Sequence, residues 1–299
     1  MKERLFSASA IAEFLTCRQK YFLNRVLRVT TPKREMALEF GHSLHKAIDS
    51  LHQDGWDAKK AKEAFDADFT EDPTDTKRTR VVAHTIIERY HTAYREQPFK
   101  MVHQGFAFRL SVPEAPNVEL RGEIDRVVDW SGRIMVDEFK STSQLTADYL
   151  KRFWVDYQTT IYLIAAKQLV DKRISAVLAD AALVAKSDPK TLKSEPLLRD
   201  IIERSDEELA YMRNRLVQII LDMDYVHTQY ESGANDLWYE NDQSCTNFGG
   251  CKYLSYCRTS PRVRSGIIAT GTELVPRTQD VEVERKFADC LVGEFKLTN

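Results

Sequence analysis

One short segment of the sequence carries several side chains that could do chemistry together. It reads GEIDRVVDWSGRIMVDEFKST, and its two strand-like runs flank Ser131-Gly132. A two-residue hairpin loop at that point would place Asp125 opposite Glu138 in the paired strands. Because side chains alternate along a strand, Lys140 would share the face of Glu138, while Asp137 would point to the other face.

Two facing carboxylates need a compensating charge. Asp125 and Glu138 would lie about 4.5 to 5.5 Å apart at Cβ, where like charges destabilise a sheet. A divalent cation bound by both would offset the repulsion, and oxygen ligands beside a lysine favour Mg2+ or Mn2+ over zinc. The alternative is a solvent-exposed hairpin whose charges are partly neutralised by the cross-strand pair Glu123 and Lys140.

The order of these residues resembles that of a known nuclease family. Gly122-x-x-Asp125 followed by Glu138-x-Lys140 resembles the motifs of the PD-(D/E)XK nuclease superfamily. Two more motifs resemble those of its RecB-like branch, and they are Gln158-x-x-x-Tyr162 and Gly41-x-x-x-His45. Each has a simpler explanation by itself, because His45 could be a core histidine and an i, i+4 pair on a helix often only packs.

The resemblance implies a role for each motif residue. Metal ions would polarise the scissile phosphate and lower the pKa of a bound water, and Lys140 would orient that water or stabilise the developing negative charge. Gln158 and Tyr162 would position DNA or steady the lysine. The implied catalytic residues are Asp125, Glu138, Lys140, Gln158 and Tyr162, and the implied ligands of Mg2+ or Mn2+ are His45, Asp125, Glu138 and the backbone carbonyl of Phe139.

The five cysteines are an odd number in a chain whose N-terminus does not read as a signal peptide. This favours free thiols or metal ligands over a disulfide framework. Cys17 precedes the charged hairpin, and Cys245, Cys251 and Cys257 follow it, which resembles the iron–sulfur branch of RecB-like nucleases, including AddB-type recombination subunits and CRISPR adaptation nucleases. The resemblance implies a structural 4Fe–4S cluster on these four thiolates, with a four-cysteine zinc site or free thiols as the alternatives. Cys290 has no matching role.

Two stretches of the chain are basic, although its net charge of -2 gives no global signature of a nucleic-acid-binding protein. Residues 14–34 and 243–272 contain Lys and Arg and no acid. A cluster that joined Cys17 to the later cysteines would bring both stretches and their aromatic residues together as a channel for a DNA single strand. The alternative is two solvated basic faces. The predicted DNA-binding residues are Arg18, Lys20, Arg25, Lys252 and Arg258.

The elements that must position these residues indicate an α/β fold. Hydrophobic periodicity predicts helices and strands in alternation after a helical first third, and a long helix that begins at the capping box Ser205–Glu208. The other predicted helices lie at about 57–69, 77–96 and 153–170, and the predicted strands at about 104–112, 118–130, 133–140 and 174–185.

With the resemblance, these elements predict a restriction-endonuclease-like core, which is a central mixed sheet flanked by helices. A helical N-terminal region and a cysteine-ligated C-terminal cluster segment would accompany it. The predicted divisions are 1–99 for the helical region with Cys17 and the His motif, 100–200 for the nuclease core, 201–260 for the long helix and iron–sulfur segment, and 261–299 for a tail.

The sequence therefore predicts a metal-dependent DNA nuclease. The expected activity is that of an exonuclease on single strands or DNA ends in recombination, repair or phage or CRISPR DNA processing. The alternatives are a structure-selective (flap) endonuclease and a non-catalytic DNA-end-binding subunit that keeps the nuclease fold.

Partners and location follow from what the sequence lacks. None of the eleven glycines is followed by lysine, so there is no P-loop motif. The protein is expected to act alone, as a homo-oligomer or beside a separate helicase or recombination partner. No apolar run is long enough for a membrane helix, and the expected location is the cytoplasm, that of the host for a phage protein.

Overall fold

The structure, a computed structural model, describes residues 3–96, 99–146, 148–185, 196–247, 250–271, 273–277, 287 and 290–297. The chain divides into two compact units. All of the predicted catalytic residues belong to the second unit, and the four predicted cluster cysteines belong to the first. The first unit contains Met1–Arg34, Ala107–Gly122 and Ala210–Lys296, and the second contains Glu35–Phe106, Glu123–Leu209 and Leu297–Asn299.

The second unit is built on a mixed β-sheet. Its strands are β5 (Arg133–Thr142), β6 (Ala176–Leu183), β7 (Leu197–Glu203) and the parts of β3 (Phe99–Ser111) and β4 (Val118–Trp130) that belong to this unit. β5 pairs antiparallel with β4 and parallel with β6, and β6 pairs antiparallel with β7. The strand order β7-β6-β5-β4-β3 places β5 in the middle.

Helices flank this sheet. α3 (Met36–Gln53), α4 (Ala58–Asp68) and α5 (Arg80–Tyr94) precede the strands in the chain, and α6 (Tyr157–Leu169) follows β5. α3 contacts β5, and α6 contacts both β5 and β6. The predicted central mixed sheet with flanking helices is therefore confirmed, and the predicted second and third helices are α4 and α5.

The helix predicted at 153–170 is divided in the structure. A 3-10 helix, Tyr149–Trp154, comes first, and α6 begins only at Tyr157. Asp156 separates the two because its backbone is extended and its side chain accepts a hydrogen bond from the N–H of Gln158, at 2.8 Å. An N-cap of this kind starts a new helix, so the periodic pattern alone placed the start too early.

An apolar core holds α3 against β5. Phe40 and Leu44 of α3, Phe65 of α4, Tyr90 of α5 and Phe139 of β5 are at most 1% exposed. The rings of Phe40 and Phe65 pack edge to face with centroids 5.4 Å apart. Each such buried side chain contributes about 1.5 to 3 kcal/mol, so the position of α3 on β5 is set by packing.

His52 on α3 makes the stability of this core pH-dependent. Burial, with a smaller effect of the Arg126 and Arg199 charges, lowers the pKa of His52 to about 2. The folded state therefore keeps the neutral ring, whereas the unfolded chain takes up a proton near the ordinary pKa of about 6.5. The stability that this group contributes is complete above that value and falls as the pH drops, by about 2 kcal/mol at pH 5.

Denaturant unfolding at pH 7.5 and pH 5 tests this linkage in the wild-type protein and in His52→Phe. Phenylalanine can retain the ring contact with Trp56, whose centroid lies 4.8 Å from that of His52. We expect the loss of unfolding free energy between the two pH values to be smaller in the variant by about 2 kcal/mol. Equal losses in the two proteins would contradict this assignment.

The first unit contains the long helix α7 (Asp206–Glu231) from Ala210 onward. Two short strands extend the parts of β3 and β4 that belong to this unit, because β1 (Arg4–Ser7) pairs parallel with β4 and β9 (Leu291–Glu294) pairs parallel with β3. The remaining elements are α1 (Ala8–Thr16), α2 (Arg18–Tyr21), a π-helix (Phe22–Val26), β2 (Val29–Thr30), a 3-10 helix (Asp242–Ser244), α8 (Leu254–Arg258), α9 (Pro261–Thr270) and β8 (Val275–Pro276).

α7 begins at the predicted capping box. Ser205 donates its backbone N–H to the Glu208 carboxylate at 2.8 Å, and Glu208 donates its N–H to the Ser205 hydroxyl at 3.2 Å. Gly233 follows the end of the helix with a φ of 98°, the left-handed region that favours glycine. Among the residues that the structure describes, no helix has both the length and the apolar character needed to cross a membrane.

Candidate active site

The predicted hairpin and its register are confirmed. Trp130 pairs with Arg133, and the register continues to the pair Arg126 and Asp137. The loop residues have positive φ angles, 54° for Ser131 and 89° for Gly132, as a two-residue loop of type I′ requires. Asp125 and Glu138 are the next residues along β4 and β5 beyond this last pair.

Three polar side chains meet on one face of the hairpin. The Lys140 ammonium donates to Glu138 Oε1 and, at 3.3 Å, to Gln158 Oε1. Gln158 Nε2 donates to the same Glu138 oxygen at 2.8 Å. The structure therefore brings the predicted lysine, the predicted carboxylate and the glutamine of α6 into direct contact.

Asp125 joins this group from β4. Its Oδ2 accepts a hydrogen bond from the backbone N–H of Phe139 at 3.3 Å and lies 3.4 Å from His45 Nδ1. The ring of Phe139 packs against that of His45 with centroids 5.1 Å apart. The histidine of α3 and the aspartate of β4 are thus neighbours although 80 residues separate them in the sequence.

The two carboxylates differ in which effect sets their pKa. It raises the pKa of Glu138 to about 7, with Lys140 opposing this and Asp125 adding to it. Burial would also raise the pKa of Asp125, but the His45, Arg126 and Lys140 charges hold it below its ordinary value. Asp125 is therefore the permanent anion of the site.

The basic side chains are stabilised in their charged forms. Burial opposes the charge on both, yet Asp125 raises the pKa of His45, and Glu138 and Asp125 raise the pKa of Lys140. Tyr162, one turn after Gln158 and hydrogen-bonded to it, has a pKa well above its ordinary value because of burial. Lys140 is consequently a cation and Tyr162 a neutral phenol near neutral pH.

The donor set fits a hard divalent cation. Glu138 Oε2 is buried and has no hydrogen-bond partner in the described part of the chain, so it is an acceptor that a cation would satisfy. Carboxylate oxygens with one imidazole suit Mg2+ or Mn2+. Within the described ranges, however, no group of three or more His, Cys, Asp or Glu side chains is arranged as a metal site. His45, Asp125 and Glu138 are therefore assembled in one neighbourhood but do not form a closed ligand sphere.

Asp137 lies outside this group, as the alternation predicted. It is fully buried and accepts a hydrogen bond from Arg126 Nε at 2.7 Å. Burial raises the pKa of Asp137 to about 6 although the Arg126 guanidinium opposes the shift.

A buried arginine that the sequence analysis missed holds the start of α6. Arg204 Nη2 donates to the backbone oxygens of Phe153 and Asp156 at 2.8 and 3.1 Å, and Nη1 donates to the Thr160 hydroxyl. These bonds join the 3-10 helix to the first turn of α6, which carries Gln158. No sequence signal could have identified Arg204, because its partners lie more than 40 residues earlier in the chain.

The close approach of α3 to β5 explains the glycine in the Gly41-x-x-x-His45 motif. A Cβ at this position of α3 would lie 3.2 Å from the Ser141 hydroxyl on β5, which is tighter than ordinary van der Waals contact. A bulkier residue would push α3 away from β5, and with it His45, which lies one turn further along the helix. We expect Gly41→Leu to lower the unfolding free energy by about 1 to 3 kcal/mol through overpacking.

Thermal unfolding of Gly41→Leu and of Gly266→Leu measures this effect. Gly266 lies on α9, where an added Cβ would meet no atom within 4 Å, so this variant is the matched control. Similar melting temperatures for the two variants would contradict the close approach of α3 to β5.

The cysteines of the first unit lie near one another. Cys17 Sγ accepts hydrogen bonds from the backbone N–H groups of Lys20 and Asn241, both at 3.4 Å. Burial raises the pKa of Cys245, and the charges of Cys251 and Cys17 add to this effect. The predicted set therefore shares one neighbourhood, although no described group of three has the arrangement of a metal site.

Cys257 shows the same influence of its neighbours. Burial raises its pKa to about 12, with Glu240 and the thiols of Cys251 and Cys17 adding to the shift and Arg264 opposing it. All five cysteines are free thiols in the structure, Cys290 among them. Without a bound metal, the raised pKa values keep the Cys245 and Cys257 thiols protonated near neutral pH.

The predicted DNA-binding residues are partly engaged within the protein. Arg18 Nη2 binds Asp222 Oδ2 at 2.5 Å, and Arg25 Nε binds Glu13 Oε2 at 2.9 Å. These pairs reduce the charge that the basic stretches offer to a phosphate. Of the remaining three, Lys20 lies 4.0 Å from Glu13, Lys252 donates to the Thr30 hydroxyl at 3.2 Å, and Arg258 ends α8.

The chain matches a family model along most of its length. A family model described as the PD-(D/E)XK nuclease superfamily matches residues 5–258. Among solved structures, a proposed exonuclease of Eubacterium rectale is 12% identical, with 86% of this chain and 89% of that chain covered and a TM-score of 0.49. LHK-Exo in complex with dAMP is also 12% identical, with 67% of this chain and 97% of that chain covered and a TM-score of 0.28. No curated protein matches the chain.

Proposed function

Because the chain belongs to the PD-(D/E)XK nuclease superfamily, we propose that it is a metal-dependent DNA exonuclease of the RecB-like, iron–sulfur type. The observation that carries the proposal is the contact of the buried Glu138 with Lys140 and Gln158, beside Asp125, whose pKa is held below its ordinary value. Two carboxylates, a lysine and an amide in one group are the functional set for phosphodiester hydrolysis.

Each side chain has a defined part in this reaction. His45, Asp125, Glu138 and the carbonyl of Phe139 would hold Mg2+ or Mn2+. When bound, such an ion polarises the scissile phosphate and lowers the pKa of a water molecule. Lys140 is held in its charged form and would donate hydrogen bonds to the phosphate oxygens on which negative charge develops.

The residues of α6 orient the lysine. Gln158 accepts from Lys140 and donates to Glu138, so it fixes the ammonium group relative to the carboxylate. Tyr162 is a buried neutral phenol that contacts Gln158 and limits its rotation. The position of Lys140 would therefore be fixed before the substrate binds. A charge fixed in this way is electrostatically preorganised for the reaction.

The proposal extends to the first unit. Cys17, Cys245, Cys251 and Cys257 would hold a structural 4Fe–4S cluster, with zinc as the alternative, and the neighbouring basic residues would bind a DNA strand. The two N–H groups that point to Cys17 Sγ support this, because hydrogen bonds to a ligand sulfur stabilise its thiolate form. A separate helicase or recombination protein and a homo-oligomer are the proposed partners, in the cytoplasm.

A direct test compares linear and covalently closed single-stranded DNA of the same sequence. Purified protein is incubated with each substrate and Mg2+ or Mn2+, and products are resolved on a denaturing gel. We expect the linear strand to shorten progressively and the circle to remain intact. Cleavage of the circle would indicate a structure-selective endonuclease instead of an exonuclease. DNA binding without cleavage of either substrate would favour a binding subunit.

A further inference from the structure

A buried arginine connects three of the elements that carry the candidate active site, which are α3, β4 and β5. Arg126 has 0% exposed surface, although it carries a permanent charge. Its Nε donates to Asp137 Oδ2 at 2.7 Å, and its Nη1 donates to Asp49 Oδ1. Asp137 is equally buried, whereas the side chain of Asp49 is 35% exposed.

Each member of this group stands next to a residue of the candidate site. Arg126 follows Asp125 on β4, and Asp137 precedes Glu138 on β5. Asp49 lies four residues after His45 on α3, which is one helical turn. One guanidinium group therefore joins the helix that carries the histidine to the two strands that carry the carboxylates.

Stability alone does not explain this arrangement. A charge taken out of water loses its hydration, and replacing a buried ion pair by apolar residues is often neutral or stabilising. In the described part of the chain, Arg126 Nη2 and Asp137 Oδ1 are also buried without a hydrogen-bond partner, so the group is not fully satisfied. The planar guanidinium group of arginine, by contrast, can hold two carboxylates in a defined geometry. The ammonium group of a lysine cannot do this.

We propose that Arg126, Asp49 and Asp137 form a positioning clamp that sets His45 of α3 relative to Asp125 and Glu138 of the hairpin. The inference rests on the proposed function, since it concerns the groups that would bind the divalent cation. None of the three residues touches the substrate in this assignment. They act through the residues beside them, and a small displacement of α3 would separate the histidine from the carboxylates.

Asp49→Ala is the most informative variant, because it removes the α3 arm of the clamp and leaves the fully buried pair of Arg126 and Asp137 in place. Asp68→Ala is its matched control. Asp68 is 25% exposed and also anchors α3, through Ser43 at 2.7 Å and Lys46 at 2.5 Å. Both of these partners lie on α3 and not on the hairpin. If Asp49 served only as a general anchor of α3, Asp49→Ala and Asp68→Ala should change activity and Mn2+ affinity to the same extent.

We expect Asp49→Ala to lower kcat roughly 10- to 100-fold with little change in KM, and to weaken Mn2+ binding by a similar factor. Asp68→Ala should stay within about twofold of the wild type in kcat and in Mn2+ affinity, as expected for a substitution outside the support of the site. Isothermal titration calorimetry with Mn2+ alone gives the affinity without reference to cleavage, and thermal unfolding shows whether the two variants are equally stable.

A second pair of variants addresses the arginine itself. Arg126→Lys keeps the charge but loses the planar guanidinium group, and Arg199→Lys makes the same change in the Arg199–Asp180 pair, which is also largely buried. The inference requires a larger loss of Mn2+ affinity in Arg126→Lys than in Arg199→Lys.

Equal effects within each pair of variants, with wild-type cleavage and Mn2+ binding intact, would overturn the clamp and leave the proposed function standing. A wild-type protein that neither binds Mn2+ nor cleaves DNA would overturn the proposed function and the clamp together.

Discussion

Replacement of Lys140 by methionine is expected to lower the rate of DNA cleavage by about 10²- to 10³-fold. Lys140 is a cation in the candidate site, and its ammonium group contacts Glu138 and Gln158. Methionine has a similar length but no donor, so the negative charge that develops on the phosphate would lose its stabilising partner.

The fold should survive this substitution. Glu138 is 3% exposed, and burial already raises its pKa to about 7. Without the lysine the carboxyl group would keep its proton at neutral pH, which avoids an unpaired buried charge. A loss of activity with an unchanged melting temperature would therefore report on chemistry and not on unfolding.

Lys167→Met is the matched control for this measurement. Lys167 lies on α6, its side chain is 11% exposed, and it pairs with Asp206 as Lys140 pairs with Glu138. Single-turnover cleavage of a labelled linear strand compares the two variants. If Lys140→Met cleaves as fast as Lys167→Met, the proposed site is wrong; Asp125→Asn, which removes the permanent anion, is expected to be inactive in the same assay.

Replacement of Cys17 by serine is expected to have the largest effect on stability. In the proposal Cys17 is the single ligand from the N-terminal part of the chain, and the other three lie 228 or more residues later. A cluster that closes so long a loop contributes its binding energy to folding. We expect the variant to lose the visible absorbance of an iron–sulfur cluster and several kcal/mol of unfolding free energy, on the order of 5 or more.

Cys290→Ser is the control, because Cys290 has no assigned ligand role. Anaerobically purified wild type, Cys17→Ser and Cys290→Ser are compared by absorbance, metal content and thermal unfolding. A brown wild type and Cys290→Ser beside a colourless, less stable Cys17→Ser would support the cluster. A colourless wild type that contains zinc would indicate the four-cysteine zinc site instead of the iron–sulfur cluster. A wild type without bound metal would exclude both the cluster and the zinc site.

The hairpin shows which features of this structure could be predicted from local sequence patterns. Its register depended on the two-residue loop at Ser131-Gly132 and on strand alternation, and both are properties of adjacent residues. The assignment of Lys140 and Glu138 to one face, and of Asp137 to the other, followed from them. The start of α7 was predictable for the same reason, since a capping box is complete within four residues.

Other features depended on contacts that no local pattern encodes. Arg18 lies in a stretch without acids, yet it pairs with Asp222 across 204 residues of sequence. Arg204 supports α6 through bonds to Phe153 and Thr160, and nothing in its own surroundings in the sequence indicates this role. The early start predicted for α6 has a similar cause, because the capping role of Asp156 overrode the helical periodicity that surrounds it.

The sequence by itself determined which side chains lie on one face of the hairpin, because turn type and alternation act between neighbours along the chain. The tertiary structure decided which of those groups are charged and what they contact. Burial raises the pKa of Glu138 to about 7, whereas the charges of His45, Arg126 and Lys140 hold that of Asp125 below its ordinary value. Packing of α3 on β5 brings His45 within 3.4 Å of Asp125. Desolvation and Coulomb interactions depend on distance in space, and for these residues that distance is set by elements far apart in the sequence.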